Sequence, residues 1–258
     1  MRNCVRLGLC MLTVLACAEP AWAALQINEL LTNAPGGGDN GFEFVEIKGS
    51  ASESVANVWF LEIDSNGTTN GQVLNAVNLT SAGTVGTNGL LLIRDAATAL
   101  SPSPDAATTI LINNFNPDLE NNTSTFALVT NFTGAVNQDF DTNNDGTFDL
   151  TLPWTAVLDA ITIQDSGGGD FPHGDDLGGV VLPIFASPSF TPDYIVRDPN
   201  NPSTWIAGDV VGTSPGPYTL AASEINDVSF GGIEASPGNE NNAPLPSVGV
   251  VSVPTFKK

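Results

Sequence analysis

Short apolar runs recur along the chain, and several alternate with polar residues: LQINELL, FEFVEIKG, VWFLEID, GLLLIRD, TILINNF, TFALVTNF, AVLDAITIQD and EINDVSF. Each is closed by Gly, Asn, Asp or Pro, which predicts strands separated by turns. In FEFVEI the residues Phe42, Phe44, Val45 and Ile47 predict inward packing. Glu43 and Glu46 depart from strict alternation there, so a bulge or a buried partner for a carboxylate is expected. The best helical window, DAATALSPSPDAAT from Asp95 to Thr108, is broken by Pro102 and Pro104. Little helix is expected.

The strands arrive at wide intervals, with a polar insertion from about Asn113 to Thr151 and a Gly/Pro-rich one from Ser166 to Pro192. Neither carries enough apolar residues for a core of its own, so one β-sandwich with long loop insertions is predicted rather than two domains. With 26 Gly, 18 Pro and charged residues at only 14% of the chain, the composition favours turns and strands over helices. After Asn242, APLPSVGVVSVPTFKK is spaced by prolines and reads as a tail, residues 243–258.

The first 23 residues have a basic start, an apolar run from Leu7 to Ala18 and small residues flanking Trp22, the pattern of a secretory signal peptide cleaved after Ala23. A competing reading takes VLAC as a lipoprotein signal with Cys17 acylated. No later segment reaches the roughly 20 apolar residues of a transmembrane helix, so a secreted, extracellular or cell-surface location is expected. Cys4, Cys10 and Cys17 all lie in this leader, and a chain cut after Ala23 has no thiol for disulfides, zinc or nucleophilic catalysis. Cleavage also removes Arg2, Arg6 and Glu19, which turns the full-chain charge of −21 into −22. Such a charge opposes direct binding to nucleic acid or anionic lipid and supplies carboxylates for divalent cations.

The opening INELLTNAPGGGDNGFEFVEIKG, Ile27 to Gly49, and the later SPGNENN, Ser236 to Asn242, with LLLIRD and AVLDAITIQD between them, resemble the lamin tail domain family. NPDLENNTSTFALV (Asn116 to Val129), the acidic loop Asp141 to Asp149 and WIAGDVVGTSPGPY (Trp205 to Tyr218), in that order, are similar to its extended secreted bacterial form. The resemblance spans about Leu25 to Asn242. It implies an immunoglobulin-like β-sandwich over residues 24–242, found alone or appended to nucleases and other hydrolases, with no catalytic residues to carry over. VWFLEID departs from the family's W-x-L pattern, with Trp59 early, and the insertions make this chain longer than usual.

DTNNDGTFD sets oxygen-bearing residues at alternate positions, with Gly146 sixth, as calcium loops do. Asp141, Asn143, Asp145, Thr147 and Asp149 are the candidate calcium ligands; the place of a bidentate Glu is taken by Leu152. A turn whose Asn and Asp side chains cap their own backbone is the alternative. The only histidine, His173, lies beside Asp170, Asp175 and Asp176 among glycines and is expected on a solvated loop. No G-x-S-x-G elbow accompanies it. Trp59, Trp154, Trp205, Tyr194 and Tyr218 are core residues or a sugar-stacking platform.

The function expected from these residues is a secreted or cell-surface, non-catalytic binding or structural module for an extracellular protein or glycan, stabilised by calcium where that loop is occupied. The alternatives are an accessory domain for a separate catalytic partner, and a divalent-metal-dependent extracellular hydrolase of nuclease or glycosidase type.

Overall fold

The expected strands from LQINELL to AVLDAITIQD all form, and six more accompany them. In chain order they are β1 (Gln26–Leu31), β2 (Phe44–Lys48), β3 (Val58–Asp64), β4 (Val73–Asn78), β5 (Leu90–Arg94), β6 (Thr109–Ile112), β7 (Ser124–Thr130), β8 (Ala156–Ile163), β9 (Val180–Val181), the hairpin β10 (Phe185–Ala186) and β11 (Ser189–Phe190), β12 (Tyr194–Asp198) and β13 (Asn201–Gly208). The computed structural model describes residues 25–35, 41–96, 100, 102–165, 167–186, 189–211 and 235–241, with the short paired segments 219–220, 230–231 and 245–246. The expected signal peptide, most of EINDVSF and most of the expected tail lie outside the described residues. Among the described residues the only helix is 3-10, at Gly67–Thr69 and Leu79–Ala82.

The strands make an all-β sandwich of two mixed sheets. The first has six strands in the order β13-β12-β1-β2-β5-β6, and the second has five in the order β4-β3-β7-β8-β9. Pairing is antiparallel except between β5 and β6 and between β8 and β9. Ile27, Val45, Ile47, Leu91, Ile93 and Ile195 from the first sheet meet Val58, Phe60, Phe126, Leu128, Ile161 and Ile163 from the second. Full burial of such side chains contributes about 1.5–3 kcal/mol each. Phe60 and Phe126 stack at 6.1 Å in the middle of this layer.

Both outer faces are covered as well. Leu31, Phe44, Leu92, Tyr194, Val196 and Ile206 form an apolar cluster on the far side of the first sheet. On the far side of the second, Leu61, Ile63, Ala127 and Val129 are roofed by Phe132, Phe140, Phe148, Leu152 and Trp154. The stretch 113–151 is therefore not one polar insertion. Its middle is β7, which sits centrally in the second sheet, and its later part builds an aromatic layer over that sheet.

The irregularity expected in β2 lies in its neighbour. Strand β2 alternates without a register shift against β5, placing Glu43 toward the inter-sheet side and Glu46 on the outer face, both buried. The shift falls in β1, between Ile27 and Glu29. It leaves Glu29 directly opposite Glu46, and it explains why INEL does not alternate.

Candidate functional site

The candidate calcium residues are brought into one loop, where they bond to one another. Asp141 is fully buried. Its Oδ1 accepts from the Asp145 amide at 3.1 Å, and its Oδ2 accepts from the Gly146 amide at 2.8 Å and from Asn70 Nδ2 at 2.7 Å. Asn143 Oδ1 accepts from the Asp145 amide at 3.0 Å, and Asp145 Oδ1 accepts from the Thr147 amide at 3.0 Å. Asp149 Oδ2 accepts from Thr142 Oγ1 at 2.8 Å. Gly146 has φ +84°, and a Cβ there would lie 2.6 Å from Phe171. Both facts require glycine.

In this arrangement the loop is closed by its own hydrogen bonds. Asn143 turns its amide nitrogen, which carries no lone pair for a metal, toward Asp145 Oδ2 at 3.1 Å and Asp149 Oδ1 at 3.5 Å. Among the described residues no three acidic or histidine side chains gather as a metal-holding group. The geometry is that of nested Asx turns. Asp141→Ala strands the buried Asn70 amide and two backbone donors, so a loss of about 3 kcal/mol is expected in a denaturant melt. Asp145→Ala, at an exposed position, is expected to change stability by less than about 0.5 kcal/mol in the absence of calcium.

His173 corrects the expectation of a solvated loop, because its side chain is entirely buried. Its ring stacks on Phe148 with centroids 4.2 Å apart. Phe148 in turn meets Phe140, which meets Trp154, so the imidazole ends the aromatic layer over the second sheet. Underneath, Ser65, Thr125 and Thr162 form a hydroxyl ladder with spacings of 2.8 and 2.7 Å. Thr125 Oγ1 accepts from the His173 amide at 3.1 Å, and Thr162 Oγ1 accepts from the Gly174 amide at 2.9 Å. Gly174 is required by crowding, since a Cβ there would lie 2.6 Å from the Val180 carbonyl oxygen.

Asn70 joins the two acidic clusters. Its Nδ2 donates to Asp141, so its Oδ1 faces His173 Nε2 at 3.1 Å and must accept the proton held there. His173 Nδ1 lies 3.4 Å from the half-exposed Asp176. Burial holds the imidazole below its ordinary pKa, and Asp176 opposes that shift. With Nε2 committed to Asn70, the histidine acts as an anchor between loops. The sequence reading missed Asn70, whose only local signal is an Asn-Gly turn.

Other buried carboxylates do the same work at the ends of the sandwich. Glu43 accepts from the Leu119 amide at 2.9 Å, Glu62 from the Glu120 amide at 2.7 Å, and Asp95 from the Phe115 amide at 2.8 Å. Together they hold the segment 113–122, whose Phe115 and Leu119 enter the inter-sheet core. Burial pushes Glu62 up to about 8, and raises Asp95 and Glu120 as well. Across the sheets, Arg197 Nη2 reaches Asp159 Oδ2 at 2.7 Å. Arg197 Nε donates to the Ile27 carbonyl at 2.6 Å, and Asp159 Oδ2 also accepts from the Ile27 amide at 2.8 Å.

The aromatic residues do not form one platform. Trp59 and Trp154 belong to the layer over the second sheet, and Tyr194 is buried on the outer face of the first. Trp205 packs against the inter-sheet core under the Arg197 guanidinium at 4.3 Å, and Tyr218 lies outside the described residues. Compared with family models, curated proteins and solved structures, the chain finds no match.

Proposed function

We propose that this chain is a secreted or cell-surface, non-catalytic module: an immunoglobulin-like sandwich of lamin tail type that presents rigid loops to an extracellular protein or glycan. The observation that carries this reading is the use made of its chemistry-bearing residues. Glu43, Glu62, Asp95, Asp141 and His173, buried or nearly so, each hold loop backbone or another loop's side chain against the sheets. Loops fixed by a rigid scaffold are where recognition resides. A further support is that the three segments carrying the resemblance, INE, FVE and SPGNENN, are mutually hydrogen-bonded through Asn28, Glu29, Glu46, Ser236 and Gly238.

The test is capture from the producing cell's envelope and from a glycan array, using the folded chain from Ala24 onward. Binding without turnover is expected. Release of product from a polysaccharide or nucleic acid, lost in His173→Ala, would favour the hydrolase reading instead. Calcium is not required by this proposal, and the same material decides its part. With the loop closed by its own hydrogen bonds, several millimolar calcium is expected to leave the melting temperature unchanged. A rise that Asp145→Ala abolishes would restore the calcium loop.

A further inference from the structure

On the outer face of the first sheet, Glu29 and Glu46 face each other across adjacent strands with no exposure to solvent. Above them lies Ala235–Asn241. The Ser236 amide donates to Glu29 Oε1 at 2.8 Å, and Ser236 Oγ lies 3.0 Å from Glu29 Oε2. The Gly238 amide donates to Glu46 Oε2 at 2.7 Å, and Asn28 Nδ2 donates to Glu46 Oε1 at 2.5 Å. The segment is held from its other side by Thr108 Oγ1 and the Asp105 amide, both donating to the Gly238 carbonyl. Beneath it is the apolar cluster of Leu31, Phe44, Leu92, Tyr194 and Val196, to which Ala235 contributes.

We propose that Ala235–Asn241 is a pH-released latch, held closed while Glu29 and Glu46 share one proton and opened when that proton leaves, which uncovers the apolar outer face of the first sheet. Both oxygens of Glu46 accept from N–H groups. Glu29 accepts from the Ser236 amide and from Ser236 Oγ, and the Tyr194 phenol stands beside it. One proton is held within the pair, because two carboxylate charges side by side in this buried setting are costly.

Loss of that proton leaves two negative charges side by side in an apolar setting, which is costly and is relieved by admitting water under the latch. The groups facing the pair are few. Lys48, two residues along β2, lowers Glu46 but is itself paired with the exposed Glu240 at 3.2 Å. Tyr194 of β12 stands beside Glu29, and its phenol is held well above its ordinary value by burial and by both carboxylates. Arg94 of β5 lies opposite Phe44, with Nη1 on the Asp95 carbonyl. Asp105 turns its carboxylate to the Ala107 amide. Burial raises both glutamates, Glu29 to about 7.

Hydrogen exchange followed by mass spectrometry tests this on the whole folded chain. Protection of the amides from Ser236 to Asn241, corrected for intrinsic rates, is expected to fall at least tenfold between pH 6 and pH 9. The limiting slope is about tenfold per pH unit for one linked proton. Amides of β7 serve as the unaffected control. Glu29→Gln keeps an oxygen for the Ser236 amide and a donor for its hydroxyl, so in this variant protection stays high at both pH values. Equal protection at pH 6 and pH 9 in the wild type, or the same fall in Glu29→Gln, would overturn the latch. Should the variant fail to protect β7, carbon-13 carboxyl titration of the wild type decides. A carboxyl step sharing its midpoint with the loss of protection supports the latch, and its absence, or a different midpoint, refutes it.

Discussion

Arg197→Met is expected to lower the free energy of unfolding by about 3–5 kcal/mol, because it leaves the Asp159 carboxylate buried without its cation. The side chains of Arg197 and Asp159 are only 10% and 15% exposed, so solvent replaces little of what is lost. The guanidinium also closes the carbonyls of Ile27 and Pro202 and covers the Trp205 ring. It is thus the point at which β1, β12, β13 and β8 are tied across the two sheets. Asp159→Leu alone is expected to be similarly costly. The double change Arg197→Met with Asp159→Leu should recover a large part of the loss, since neither charge then remains unpaired. Urea melts of the four proteins measure the coupling. A single-variant loss below about 1 kcal/mol would show that the pair is a surface ornament rather than an inter-sheet tie.

The second large effect is on pH dependence, where stability should be greatest in mild acid and decline toward alkaline conditions. Glu62 keeps its proton up to about 8 in the folded chain against 4.5 as its ordinary value, and Glu29 to about 7 against the same value. Between those limits the folded state holds protons that the unfolded state has released. This contribution is complete below about 4.5 and is lost as pH rises through about 7 and 8. For Glu62 alone it is on the order of 5 kcal/mol. His173 acts in the opposite sense, because its lowered value makes the folded state resist protonation as pH falls below 6.5. A maximum near pH 5–6 is expected, with a fall in melting temperature of about 10 °C by pH 8.5. Repulsion among the many acidic residues adds to the decline in every variant. Glu62→Gln separates the two causes, since it should flatten the slope between pH 5 and 8 while leaving that background. An unchanged slope in the variant would remove Glu62 as its source.

The strands with apolar residues at alternate positions could be read directly from the chain. Strand β4 was not, because Asn75, which hydrogen-bonds to Glu62, interrupts the apolar pattern of VLNAVN. Strands β12 and β13 lie beside Pro192, Pro199 and Pro202, whose turn signals outweigh YIVRD and TWIAG. The loop of Asp141 was legible as a set of turn-forming residues, but its dependence on Asn70, 71 positions earlier, is set only by the fold. His173 was misplaced for a related reason. Its burial comes from Phe148 and from hydroxyls on β7 and β8, while its immediate neighbours are glycines and aspartates that read as solvent-facing. Local pattern specifies which segments are strands, whereas the anchoring of loops depends on pairs distant along the chain.

The amide of Asn70 has one oxygen and one nitrogen, and each is spent on a different loop. The Asp141 turn and the His173 turn therefore share one polar pin, beside the stacking of Phe148 on the imidazole. A molecule that drew Asp141 outward would swing that amide and change the partner available to the imidazole. Contact made on one loop would thus be transmitted to the other without movement of either sheet.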